Sequence, residues 1–526
     1  MFCQRIFSCF CKKLNTNIFN NSLMKKLIIL DLNKNYVLQR DNCNYLNINR
    51  GLIKFHNATK IEFNVNKNPK IFKEFIKSIK IFFNKIKNEV DKNFSYINSL
   101  ELEFFNLRND KYGYLDKMFV LFCLKKKNFH KNFDIEVLSD DISNEEIYRD
   151  LFGKKVEIKI LKKDYNSFDT SYLLLKYLKF LFKASYFIIL NNLVHKKKNL
   201  PNKQNIFLSF FPYFYNGDDI NLYTHKEKNY LNFSLTDETH LNLKTKNYLN
   251  HLKKISKNKK IFSVEKEISF YDLMCSLGKF YLEKKKLNIL PKKIFYYQNI
   301  NCFSFLFPHL KISLFNRSKL FIYEKFLNKL NYKNKLNIFH YFLFEYNFGF
   351  FLRRKLDKIK FFLGYQHGIY TKNLMWLSLI NDKASRKVIP KKVICNRKES
   401  FKVYKKHFKD ISLKKKDKIN IKIKISKNKN EKNLLVFMGQ HDIDDILYYF
   451  FNKKEYKDKK IYFKLHPNNK KLITFKSKNF YFINKIDASK RYKVFLSPTT
   501  TLIYDFIENK IKFNIIKYDY KINLWG

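Results

Sequence analysis

Short apolar runs that stop abruptly at polar residues recur along the chain. LIILDL (27–32), KIEFNV (60–65), MFVLFCL (118–124), IEVLSD (135–140) and VEIKIL (156–161) read as strands. Between them FKEFIKSIKIFFNKIKNEV (72–90) carries apolar residues at helical spacing, which predicts an amphipathic helix. Strands alternating with helices predict a parallel sheet covered on its faces. The most apolar stretch, SYLLLKYLKFLFKASYFIILNNLV (171–194), is interrupted by Lys176, Lys179 and Lys183 and reads as a buried helix, with a membrane-lying helix as the alternative. IFLSFFPYFYNGDDINLY (206–223) reads as a strand or turn running into a polar loop, where Asp218 and Asp219 fit a solvated turn better than a metal site.

Further on, a strand from Ile359 to Tyr365 ends at Gln366, His367 and Gly368, and PKKVIC (390–395) gives another. Residues 411–432 are charged and low in complexity, which predicts a basic linker between a first unit (24–410, Rossmann-like with helical insertions) and a second (433–526). NLLVFMGQ (433–440) opens the second unit. Residues 1–23 have no assigned fold and read as an extension or loose amphipathic tail.

The second unit holds two strand ends suited to phosphate. IYFKLHP (461–467) stops at His466 and Pro467. In YKVFLSPTTTLIYDF (492–506) the pattern predicts Ser497 as an N-cap, Pro498 at the first helical position and Thr499 to Thr501 in the first turn. Ligands of open α/β sheets bind outside the carboxyl ends of the strands, and a helix start offers free N–H groups to an anion. HDIDD (441–445) has the Asp442-x-Asp444 spacing of a metal and nucleotide-sugar site, but at a helix start its carboxylates read as capping and dipole partners.

Composition alters this picture little. A net charge of +59, from 105 Lys+Arg against 46 Asp+Glu, points to polyanions. Joint enrichment of Lys, Asn, Ile, Phe and Tyr reads instead as AT-rich coding bias. The lysines are spread through every segment, without Arg-rich tracts or zinc-finger spacings, so nucleic acid is not the expected partner, although a basic nucleic-acid-binding protein remains a rival reading. The basic surface would help the protein sit on an anionic inner leaflet. The eight cysteines form no Cys-x-x-Cys pair, so neither a zinc site nor a disulfide scaffold is expected and a cytoplasmic location is the default.

Taken in order, FLFEYNFG (342–349), KIKFFLGYQHG (358–368), PKKVICN (390–396), KLHP (464–467) and SPTTTLIYD (497–505) resemble the bacterial surface carbohydrate biosynthesis proteins of GT-B type. These are distantly similar to capsule and sialyltransferase-type glycosyltransferases with HP and SS/ST motifs, and the resemblance covers roughly residues 200–510. It implies an α/β, GT-B-like fold, with two Rossmann-like domains facing each other across a cleft. It implies a metal-independent transferase of lipopolysaccharide or capsule assembly that moves a sugar, CMP-activated by preference, onto a glycan or lipid-linked acceptor, with no cofactor beyond the nucleotide-sugar donor.

The nucleotide would then be held by Lys464, His466, Pro467, Ser497, Thr500 and Thr501, with Asp505 holding a ribose hydroxyl or orienting the loop. Gln366 and Gly368 would line the acceptor side. For the base there are two candidates: Glu345, otherwise a helix-surface carboxylate, and His367, otherwise a histidine bonded to backbone. The family's acidic D/E-D/E-G motif has no clear copy, since Asp140 and Asp141 are followed by Ile142, and the second unit is short, ending at Gly526. A non-catalytic GT-B scaffold is therefore a further reading.

Overall fold

A computed structural model describes residues 25–516, apart from 33–35, 38–42, 49–52, 55–58, 62, 64–67, 107–113, 129–130, 155, 162–169, 195–204, 212–229, 237–248, 251, 254–255, 258–260, 334–337, 343–345, 367–374, 381, 396, 414–422, 427, 429, 440–441, 466–476, 499 and 501. Among the described residues most of the apolar runs gather into three large parallel sheets, beside two small two-stranded ones. The first is built from Lys25–Asp31 (β1), Asn44–Asn47 (β2), Thr59–Lys60 (β3), Phe133–Ser139 (β4) and Glu157–Ile160 (β5), in the order β3-β2-β1-β4-β5. The second comprises Asn205–Phe211 (β6), Tyr230–Thr236 (β7), Ile261–Ser263 (β8), Ile338–Phe342 (β9), Phe361–Tyr365 (β10), Lys392–Cys395 (β11) and Asp410–Leu413 (β12), ordered β8-β7-β6-β9-β10-β11-β12.

The third takes Lys424–Ile425 (β13), Asn433–Phe437 (β14), Lys460–Lys464 (β15), Phe480–Ile483 (β16), Arg491–Leu496 (β17) and Asn514–Ile515 (β18). Its order is β13-β17-β14-β15-β16, and β18 also pairs with β17. Counted from β1, β6 and β14, all three sheets run 3-2-1-4-5, the doubly wound Rossmann-type order. Each therefore has a crevice at its carboxyl edge, between its first and fourth strands.

The parallel strands are covered on both faces, so continuous apolar runs mark them: Leu27, Ile28, Ile29 and Leu30 are all fully buried. One continuous apolar core spans the first two sheets, from Leu27 and Val137 to Phe362 and Val393. The helix expected over 72–90 is Pro69–Asn93 (α1); it buries Phe75, Ile79, Phe83 and Ile86 in that core. The segment 24–410 thus holds two sheets about one core. The third sheet has its own cores, Val436, Ile446 and Phe463 on one face and Leu435, Val494 and Phe506 on the other, as alternation along β14 requires.

Three expectations are corrected. MFVLFCL belongs to the helix Tyr114–Lys126 (α2), whose residues from Tyr114 to Leu124 are all buried. A helix covered on every side shows no period to separate it from a buried strand. The stretch expected as a linker contributes strand to both sheets: β12 overlaps its start and closes the second sheet, and β13 lies within it as an edge strand of the third. The stretch 171–194 is the helix Thr170–Val194 (α3); one side of it is buried in the main core and Leu190 in a small separate one, while Leu175, Phe182 and Leu193 are exposed.

A buried ionic cluster braces the first two sheets. Glu101 receives Arg317, from the helix Phe303–Ser318 (α5), and Arg354, from the helix Asn347–Lys355 (α6). Arg354 Nη2 also donates to the Tyr96 carbonyl at 2.7 Å, and the Arg317 guanidinium lies 4.8 and 4.4 Å from the Phe321 and Phe351 rings. The two arginines outweigh the penalty of burial and hold the Glu101 carboxyl below its ordinary range. Among the described residues no helix is long and apolar enough to cross a membrane.

Candidate functional site

The three crevices differ in what fills them. In the first, Lys117 Nζ reaches Asp31 Oδ2 at 2.7 Å and Asn144 Oδ1 at 2.9 Å, Tyr148 donates to Asp31 at 2.7 Å, and Asn144 Nδ2 meets Ser139 Oγ at 3.1 Å. All five residues are buried, so this crevice is filled by the protein's own polar groups. The weak acidic candidate beside it is structural: Asp140 is buried, and Asp141 accepts from the Ser143 N–H at 2.9 Å and hydroxyl at 2.6 Å, capping a short turn.

In the third sheet the crevice lies between β14 and β17. The Ser497 N–H donates to the Phe437 carbonyl at 2.9 Å and the Met438 N–H to the Lys464 carbonyl at 3.0 Å, so each chain leaves its strand still paired to the neighbouring one. The Ser497 hydroxyl donates to Asp442 Oδ2, which couples the two loops that edge the crevice. Both residues are buried.

Two readings change here. Asp442 occupies the backbone N-cap of the helix Ile443–Asn452 (α8), yet its carboxylate makes no capping bond and turns across to Ser497. Ser497 is no cap either. Still bonded as an extension of β17, it leaves a turn to be made before the helix Leu502–Glu508 (α9) begins. Thr500 makes that turn: its N–H donates to the Ser497 carbonyl at 3.2 Å and its hydroxyl oxygen accepts from the Leu502 N–H at 3.3 Å. Pro498 and Thr500 consequently stand ahead of the helix rather than in its first turn. Lys464, at the end of β15, gives its ammonium to the Asn484 carbonyl.

At the carboxyl edge of the second sheet Gln366 is fully buried. Its N–H donates to the Ile394 carbonyl at 3.0 Å, and its Nε2 to the Ser400 hydroxyl at 2.5 Å, on the helix Lys398–Tyr404 (α7). Arg397, at the N-cap of α7, sends its guanidinium to Asp505 and, at 2.6 Å, to Glu508, both on α9. Burial acts against its charge, but the two carboxylates raise its pKa above the ordinary arginine value.

Asp505 is therefore engaged by an arginine from the first unit, just past a strand of the second sheet. Gln366 thus holds Ser400 on α7, and Arg397 at the start of the same helix holds Asp505 on α9. The sequence reading missed Arg397. Its signal was present: Asp505 and Glu508, three apart, share one face of a helix and call for a cation.

Glu345, His367, Gly368, His466, Pro467 and Thr501 lie outside the described residues. So do Asp218 and Asp219. Among the described residues no three His, Cys, Asp or Glu side chains gather as a metal site would require. Inside β9, His340 stacks on Phe207 at 4.1 Å and its Nδ1 lies 2.9 Å from the Tyr365 hydroxyl, while burial pushes its pKa down to about 4. Scanned against protein-family models the chain matches none, and a search of curated proteins finds no match.

Proposed function

We propose that this chain is a glycosyltransferase of GT-B type that moves a sugar from a nucleotide donor, CMP-activated by preference, during assembly of a surface polysaccharide or lipid-linked glycan. The observation that carries the reading is the Arg397 bridge. It joins a segment that follows β11 of the second sheet to a helix that follows β17 of the third, beside the crevice at Ser497. Two doubly wound sheets joined near their carboxyl ends support a cleft of the kind in which nucleotides bind.

In this reading the loop from Ser497 to Thr501 and His466 receive the departing phosphate. Glu345 or His367, across the cleft, takes the proton from the acceptor hydroxyl. An inverting transfer needs both: a base on the attacking oxygen and hydrogen-bonding or positive groups on the leaving one.

Calorimetric titration with CMP and UDP tests the reading. The intact protein is expected to bind at least one of them, and His466→Ala to weaken binding by about tenfold or more with an unchanged melting temperature, the loss of one charge-assisted bond. Equal affinity in the variant, or no binding by the intact protein, would overturn it. For the base, Glu345→Gln or His367→Asn is expected to lower donor turnover by about 100-fold or more at unchanged nucleotide affinity.

A further inference from the structure

The helix α3 is apolar on two opposite sides. Tyr177, Leu181, Ala184 and Ile188 point into the core of the first two sheets. On the other side Leu175 is 64% exposed, Leu178 44%, Phe182 81%, Ile189 46% and Leu193 76%. At 100° per residue these five positions fall within an arc of about 60° along the length of the helix. Singly exposed apolar residues need no explanation, but a stripe running from Leu175 to Leu193 does.

The edge of the stripe is cationic. Lys176, Lys179 and Lys183 lie side by side along one border, and Lys176 packs 4.2 Å from the Tyr172 ring, its charged end at the rim of the apolar surface. The helix contains no acidic residue. Its neighbour, the helix Phe270–Ile289 (α4), packs against it through stacking of Phe280 on Tyr177 at 4.2 Å, and turns Tyr271, Met274 and Ile289 outward. The carboxylates of α4, Asp272 and Glu283, are buried.

The geometry points to an anionic bilayer surface as the occupant of this face, with the apolar stripe of α3 sunk to the acyl boundary and the three lysines at the phosphates. An apolar face with a lysine border lies in the interface rather than across it. A second copy of this chain fits less well, because docking through the same stripe would bring two lysine-bordered edges together. The inference goes beyond the proposed transfer activity and does not rest on it.

Flotation of the full chain with two kinds of vesicle tests it: phosphatidylcholine containing phosphatidylglycerol, and phosphatidylcholine alone. Binding is expected to the anionic vesicles only. Lys176→Gln/Lys179→Gln/Lys183→Gln is expected to weaken it by about 100-fold, at roughly 1 kcal/mol per lysine near an anionic surface. Leu175→Ser/Phe182→Ser/Leu193→Ser, on the exposed side and so without effect on the melting temperature, is expected to weaken it by about tenfold or more.

Failure of the intact chain to float would overturn the inference. So would full binding by the serine variant, since diffuse charge would then suffice, or a dimer in sedimentation equilibrium that this variant abolishes. Nucleotide titration of the same variants should be unchanged, which keeps this result separate from the transferase reading.

Discussion

The joint between the first and second sheets and the joint between the second and third are built on different principles. At the first, a single apolar core passes from one sheet to the other, and Glu101 with two arginines is sealed inside it. At the second, each side keeps its own core, and a buried arginine reaches Asp505 together with Glu508, which is half exposed. A shared core makes two sheets one cooperative body. Separate cores linked by ionic contacts leave a body that can shift against its neighbour, and inter-domain motion is the ordinary expectation for such joints. The crevice at Ser497 lies beside the second kind of joint.

The largest expected effect breaks the first joint. Glu101→Ala leaves Arg317 charged and buried, which costs about 3–5 kcal/mol. Urea denaturation should show the loss in the transition of residues 25–413 while the third sheet keeps its own midpoint. A single shifted transition for the whole chain would count against two separate bodies.

Acid acts on the same region. Burial lowers His340 to about 4, and burial with the nearby Lys117 charge lowers His309 to about 4, against 6.5 for both in the unfolded chain. Between these values the unfolded state binds more protons, so stability is complete above pH 6.5 and falls as pH drops toward 4. Each histidine contributes at most about 3 kcal/mol. His340→Gln should flatten that part of a stability-versus-pH curve, and an unaltered slope would refute the assignment.

Arg397→Ala tests the second joint directly. It is expected to cost about 2 kcal/mol, less than Glu101 because one partner is half exposed and screened. Scanning calorimetry should then show the transition of the third sheet moved to lower temperature, with that of residues 25–413 in place. Ser497→Ala is the smallest, at about 1.5 kcal/mol for one hydrogen bond to a carboxylate. Its effect should appear only in the transition of the third sheet.

How far the chain discloses this architecture depends on the range of each interaction. β1, β14 and β17 were legible because buried parallel strands are short uninterrupted apolar runs. The helix α2 was not, being buried all round, and the outward stripe of α3 was hidden for the same reason: apolar residues on both faces erase the period. At the candidate site the strand ends could be read. The partners could not, since Ser497 meets Asp442 across 55 positions and Arg397 meets Asp505 across 108. Local pattern assigns a capping role to a carboxylate at a helix start, and a long-range hydroxyl overrides it at Asp442.

The edge of the third sheet has a practical consequence. β13 brings the chain in along one flank of β17, and β18 takes it out along the same flank. Arrival and departure at one seam make this unit a cassette: a short bridge between the two ends would close it on itself, and new termini opened at a loop elsewhere would leave every strand pairing intact.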